Sequence, residues 1–247
     1  MKKRLLIISI IVVVVAVFAG GTYAWFNAND SITNTFNVGG VTVEQIEQQR
    51  NPDTGELEDF ENGKILAPVI DNSNAKDDPY GNFKDKIVTV KNIGKSSAYV
   101  QTYVAVPSVL DDAGIVHIYD TDAVSKGWIK QTDVDATKDG DQPFYITVID
   151  GQKYNVYLYR HTKILQKDEV TGSVIDGVYL DMAVNKKDGR FIMDDKIIEG
   201  FNANGELFVY VCTQAMQSKN FDDYSSALNS GFPLNVESMP DFSQVQP

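Results

Sequence analysis

The sequence predicts an all-β protein: a jelly-roll-like antiparallel β-sandwich with a covering C-terminal helix and long polar loops. Twelve tyrosines and twelve phenylalanines occur among 247 residues, in short runs broken by Gly, Asn and Asp, which is typical of strands separated by turns. Within the runs apolar residues alternate with a period of two, as half-buried strands require. Roughly eight such strands with one helix fit a single sandwich domain.

The first two central strands are predicted at 87–91 and 99–106. The polar stretch at 92–97 predicts a hairpin connection between them, and alternation in the second strand predicts one apolar face and one opposite face. The faces divide as follows: Val100, Val104 and Val106 on the apolar one, and Tyr99, Gln101 and Tyr103 on the other.

A second hairpin is predicted from strands at 144–149 and 154–159, because Asp150-Gly151 between them is a strong turn signal. Further strands are expected at 178–184 and 207–213, the last entered through a turn at 202–205.

A C-terminal helix is indicated by helical spacing of Phe221, Tyr224 and Leu228, and it ends before Gly231-Phe232-Pro233. A shorter helical turn is expected at 108–113. The polar stretches are expected to be exposed loops, and the chain after the helix a loose tail. These loops are 48–63, 72–82 and 132–142.

The N-terminal sequence predicts that the protein is exported from the cell. Met1-Lys2-Lys3-Arg4 precedes an apolar run at 5–19 and then small residues, which is the organisation of a secretory signal peptide. The run is shorter than the roughly 20 residues of a membrane span. We therefore expect a signal peptide at 1–24, cleaved between Ala24 and Trp25, and one domain at 25–247, with a single membrane anchor as the alternative.

Two stretches, Gly21-Thr22-Tyr23-Ala24-Trp25-Phe26 and Asn34-Thr35-Phe36-Asn37-Val38-Gly39, together resemble the leader of the TasA/camelysin family of Gram-positive bacteria. The resemblance implies processing by a SipW-type signal peptidase, a jelly-roll fold, and a secreted subunit of extracellular biofilm-matrix fibres. Similar residues continue through the chain: 86–100, Trp128, Tyr157, Tyr159, Leu165, Glu169-Val170-Thr171 and 209–217.

The net charge and the cysteine content limit which partners the protein can bind and whether disulfides can stabilise it. The net charge is −12, which argues against nucleic acid because such partners need a basic surface. Cys212 is the one cysteine, so no intramolecular disulfide can form. Its apolar neighbours predict a buried core residue.

No catalytic set or metal site is predicted. Camelysin is described as a metalloprotease, but the two histidines, His117 and His161, lie far apart without an H-E-x-x-H spacing. No G-x-S-x-G elbow occurs either. We expect no enzyme and no required cofactor, and leave calcium open at an acidic loop that lacks EF-hand spacing. Its carboxylates are Asp133, Asp135, Asp139 and Asp141.

The segment 25–43 is the candidate functional site, as an arm that donates a strand. Its apolar residues change parity at Gly39-Gly40, which predicts a bulge or kink. Such an arm either pairs with its own sheet or completes the sheet of the next copy. The candidate residues are Trp25, Phe26, Ile32, Phe36, Val38, Gly39, Gly40, Val41 and Val43.

Donation to the next copy predicts a head-to-tail homopolymer, held back by the leader, which keeps the chain at the membrane until cleavage. Two other functions stay open. One is a camelysin-like secreted metallopeptidase, and the other is an accessory or anchor subunit that binds the fibre without polymerising.

Overall fold

Antiparallel strands dominate the structure, a computed structural model that describes residues 37–38, 41–62, 64, 66–131, 142–187, 190–199, 201, 207–234 and 239–242. The predicted all-β class is confirmed. The strands are β1 (Asn37–Val38), β2 (Val41–Arg50), β3 (Leu57–Asp59), β4 (Lys84–Asn92), β5 (Ala98–Pro107), β6 (Val116–Tyr119), β7 (Trp128–Gln131), β8 (Tyr145–Ile149), β9 (Gln152–His161), β10 (Ile175–Leu180), β11 (Asn185–Lys187), β12 (Arg190–Met193), β13 (Lys196–Ile197) and β14 (Tyr210–Gln217).

Two large sheets form the sandwich. The first has the order β1-β2-β4-β10-β6, with β3 also paired to β2, and the second has the order β14-β5-β9-β7, with β8 also paired to β9. From β4 to β5, β6 and β7 the chain changes sheet at every step, which is the jelly-roll-like feature of the topology. Strands β11, β12 and β13 form a small separate sheet.

The main core lies between the two large sheets. Val88 and Val90 of β4 belong to the same buried cluster as Val104 of β5 and Tyr159 of β9. The predicted apolar face of β5 is confirmed, since Val100, Val104 and Val106 all belong to this cluster.

The opposite face of the second sheet is buried as well, so the expectation of a half-buried β5 is wrong. Leu228 of helix α2 (Tyr224–Gly231) and Phe232, which follows the helix, pack in one cluster with Tyr99. Phe242 packs in a further cluster with Tyr103 and Cys212. The chain after the helix therefore contributes to the core, where a loose tail was expected.

The predicted hairpin between β4 and β5 is wrong, because the two strands lie in different sheets. The buried amide of Asn92 donates to the carbonyl oxygens of Ser96 and Leu165, and the N–H of Gly94 donates to Thr42 O at 2.9 Å. A Cβ at Gly94 would lie 2.8 Å from Thr42 N. These contacts turn the chain across the sandwich.

The predicted hairpin between β8 and β9 is confirmed, with Ile149 opposite Gln152. Asp150 and Gly151 have φ values of 50° and 82°, as a two-residue hairpin turn requires. The strands expected at 178–184 and 207–213 correspond to β10 and β14, although both boundaries are shifted.

Both predicted helices are present, the shorter as α1 (Ser108–Asp111). Helix α2 begins where the Asp223 carboxylate accepts a hydrogen bond from Ser226 N. Two of the predicted loops contain regular structure: β2 and β3 enter the stretch 48–63, and a 3-10 helix occupies Asn72–Asp77. The turn at 202–205 and most of the loop at 132–142 lie outside the described residues.

Candidate assembly site at the seam of the two sheets

The two-residue strand β1 pairs antiparallel with the start of the long strand β2. Val38 of β1 pairs with Val41 of β2, and Asn37 pairs with Thr42. The two strands therefore run in opposite directions, and the bulge or kink predicted at Gly39-Gly40 falls outside the described residues.

Of the candidate arm at 25–43, the structure describes only residues 37–38 and 41–43. Val41 and Val43 are fully buried in the core of their own chain, so these two side chains are held within β2. Val38 lies in β1 by its backbone pairing. The other candidates fall outside the described residues: Ala24, Trp25, Phe26, Ile32, Phe36, Gly39 and Gly40.

Strands β2 and β14 meet at a seam, and the buried side chain of Gln45 connects them. Its Nε2 donates to Val211 O at 3.2 Å, and its Oε1 accepts from Thr213 Oγ1 at 2.9 Å. The amide therefore joins the first sheet to the last strand of the second. Sequence reasoning missed Gln45, although it shares the inward parity of Val41 and Val43 along β2.

An ion pair extends the seam network through β2. Glu47 Oε1 accepts from Gln45 Nε2 at 2.9 Å, and Glu47 Oε2 lies 2.5 Å from Lys86 Nζ. Both charged side chains are buried, and the ammonium lies 4.4 Å from the centre of the Phe60 ring. Removal of either charge would leave the other buried and unpaired, which is costly.

Strand β14 borders this seam as an edge strand of the second sheet. Its ladder partner among the described strands is β5, in an eight-residue register from Tyr210 opposite Ala105 to Gln217 opposite Ala98. Strand β1 approaches β14 as well as pairing with β2. Asn37, the first described residue, therefore lies in a strand close to both β2 and β14.

A second polar network lies under α2. The guanidinium of Arg160, 1% exposed, donates through Nε to Gln101 Oε1 at 3.0 Å and through Nη1 to Asn229 Oδ1 at 2.8 Å. Burial lowers its pKa. Within the described structure Nη2 has no hydrogen-bond partner, so this network binds Arg160 without neutralising it.

Trp128, Tyr157 and Tyr159, three of the aromatic residues singled out in the sequence, are buried and hydrogen-bonded. Trp128 is fully buried and donates from Nε1 to Gly172 O at 2.8 Å. The hydroxyls of Tyr157 and Tyr159 donate to the carboxylates of Asp111 and Asp120 at 2.5 and 2.6 Å. These bonds tie β9 to the segments beside β6.

The histidines are on separate sheets. His117 in β6 lies 3.0 Å from Asp181 Oδ2 through Nε2. His161 at the end of β9 packs on Trp128, with Nδ1 2.9 Å from Lys163 O, and burial lowers its pKa. Over the described part of the chain, no group of three His, Cys, Asp or Glu side chains is placed to hold a metal ion.

Two further predictions concern the cysteine and the acidic loop proposed for calcium. Cys212 is fully buried, as predicted, and burial raises its pKa to about 12. The calcium candidates Asp133, Asp135, Asp139 and Asp141 lie outside the described residues. No helix in the described ranges is long and apolar enough to cross a membrane.

Comparisons with known proteins returned no similar protein. No family model matches the chain, and no curated protein or solved structure is significantly similar to it.

Proposed function

We propose that this protein is a secreted structural subunit of extracellular biofilm-matrix fibres, which assembles head to tail by donation of an N-terminal strand. The observation that carries the proposal is the position of chain entry. The candidate arm leads into β1 and β2 at the seam, next to the edge strand β14.

Strand donation suits both partners in this geometry. An edge strand recognises an incoming strand through main-chain hydrogen bonds, and alternate side chains set the register. Upstream of β1, Ile32 and Phe36 share one parity and would provide such side chains. Because donor and acceptor are different surfaces, the contact does not close on itself, and successive copies form a filament.

Val41 and Val43 limit the donated segment. They are buried in their own core, and β1 is already paired with β2. We therefore assign donation to 25–36 and regard 37–43 as the attachment of the arm. Cleavage between Ala24 and Trp25 by a SipW-type peptidase is the proposed switch, since the leader keeps the arm at the membrane.

Filament formation by two purified chains tests the proposal. One begins at Trp25, and the other begins at Asn37 and retains every described residue. We expect filaments in electron micrographs of the first chain and none in those of the second. Equal filament formation by both would refute arm donation.

Point variants test whether filament formation needs the apolar side chains of the arm and not only an arm of the right length. Ile32→Asp with Phe36→Asp should abolish filaments, because both changes fall on the apolar parity. The control, Thr33→Asp with Thr35→Asp, adds the same charge on the other parity and should retain them. If the chain that begins at Trp25 coats existing fibres but never polymerises, the protein is instead an accessory subunit.

A further inference from the structure

We infer that β8 is a second self-association surface, which pairs with β8 of another copy about a two-fold axis at Thr147. The strand Tyr145–Ile149 pairs only with β9 among the described strands. Within the described ranges, no strand lies along the edge of β8 opposite β9. This contact is separate from the arm and goes beyond the proposed head-to-tail assembly.

The side chains of β8 alternate strongly in exposure. Ile146 and Val148 are 59% and 62% exposed, whereas Ile149 is 3% exposed and packs in the cluster with Tyr103 and Cys212. No residue of β8 is charged or a proline. Natural edge strands commonly carry lysine, proline or a bulge that prevents pairing, and a bare apolar edge is prone to associate.

The main-chain groups of the exposed residues of β8 face the edge opposite β9. Ile149 and Gln152 close a two-residue turn, so the groups of Thr147 and Ile149 are directed to β9 and those of Ile146 and Val148 point away. Antiparallel pairing of two β8 strands about Thr147 would form about four main-chain hydrogen bonds through these groups.

The register about Thr147 is self-complementary. It places Ile146 opposite Val148 of the second copy and Tyr145 opposite Ile149, so that exposed residues meet on one face and buried ones on the other. Asp150 would lie opposite Phe144 of the other copy, and no like charges are opposed. A second copy is thus the occupant that fits the pattern of β8.

A contact made by one pair of β8 strands buries less surface than the roughly 1,000 Å² that a stable complex buries. We therefore expect a weak contact that depends on concentration. A covalent trap is the suitable readout, because it records a weak contact whether or not filaments are also present.

The test uses Thr147→Cys in the chain from Trp25. Facing Thr147 residues would form a non-hydrogen-bonded pair, with Cβ atoms close enough for a disulfide. We expect mild oxidation to give a covalent dimer in a non-reducing gel. The native thiol of Cys212 is fully buried and should not compete. Val124→Cys, 75% exposed in a turn, is the control for random collision and should give at least tenfold less dimer.

Adding Val148→Lys to Thr147→Cys should reduce the dimer to the level of that control, whereas adding Val124→Lys should not change the yield. Val148 is exposed, so its replacement should leave the fold intact, which a thermal melt verifies. Equal dimer yields from Thr147→Cys with and without Val148→Lys would overturn the inference. Loss of filaments in Val148→Lys, with no disulfide-linked dimer from Thr147→Cys, would also overturn it and would identify β8 as an acceptor of the arm.

Discussion

Gln45 and Val211 are 166 positions apart in the chain, yet Gln45 Nε2 donates a hydrogen bond of 3.2 Å to the main-chain oxygen of Val211. The first long strand is thereby joined to the last. The stability of the seam between the two sheets therefore depends on a single buried amide side chain.

Gln45→Ala should destabilise the fold by about 1–3 kcal/mol, because it leaves buried polar groups of Val211 and Thr213 without this partner. Urea denaturation followed by circular dichroism measures the change. Gln48→Ala, at a half-buried glutamine in the same strand, is the control and should change the free energy of unfolding by less than about 0.5 kcal/mol. Equal effects would show that Gln45 contributes nothing beyond its strand position.

Sequence reasoning recovered the parts of the fold that local signals determine. The Asp150-Gly151 hairpin follows from turn chemistry, and α2 follows from the spacing of Tyr224 and Leu228. The β4–β5 connection was predicted wrongly because hairpin and cross-sandwich connections share a polar composition. Contacts of Asn92 and Gly94 with distant segments decide between them, and a sequence pattern does not contain those contacts.

The candidate site was recovered less fully. The inward parity of Val41 and Val43 was visible, but their place in the protein's own core depends on pairing of β2 with β4. Gln45 occupies the next inward position and reads as a polar interruption of the pattern. Only its partners on β14 give it a role, and these are distant in the sequence.

The ion pair between Glu47 and Lys86 should show strong coupling. Lys86→Met alone should cost about 3–5 kcal/mol because it leaves Glu47 buried and unpaired, whereas Lys86→Met with Glu47→Leu should cost much less. A double-mutant cycle in urea measures the coupling.

The exposed pair Lys64–Glu61 is the control for this cycle. Glu61→Gln should change the free energy of unfolding by less than about 1 kcal/mol. Additive effects of the Lys86 and Glu47 substitutions would contradict the assignment of a coupled pair at the seam.

Removal of the Tyr145 hydroxyl should not destabilise the fold, in contrast to the substitutions of Gln45 and Lys86. The hydroxyl is buried and has no hydrogen-bond partner in the described structure, and burial raises the pKa of Tyr145. Tyr145→Phe should therefore leave stability unchanged or raise it by about 1 kcal/mol, since an unpaired buried hydroxyl is removed. Tyr159→Phe removes a hydroxyl bonded to Asp120 at 2.6 Å and should destabilise. A loss of stability in Tyr145→Phe comparable to that in Tyr159→Phe would indicate a partner for the Tyr145 hydroxyl.

Asp176 should contribute to the decline of stability in acid. Desolvation by burial acts to raise its pKa, but hydrogen bonds from Ser173, Lys126 and Lys76 outweigh it, and the net shift is downward. A carboxyl with a lowered pKa in the folded state stabilises fully above its unfolded pKa, and this contribution is lost as pH falls through the folded value.

Asp176→Asn should therefore lower the free energy of unfolding at pH 7 and flatten its fall below about pH 4. Urea titrations of both proteins from pH 7 to pH 2 measure the difference, with exposed Asp77→Asn as the control. If the wild-type and Asp176→Asn curves stayed parallel down to pH 2, the two lysines would not be stabilising the Asp176 carboxylate. The acid sensitivity would then have to arise from other carboxyls with lowered pKa values, such as Asp181.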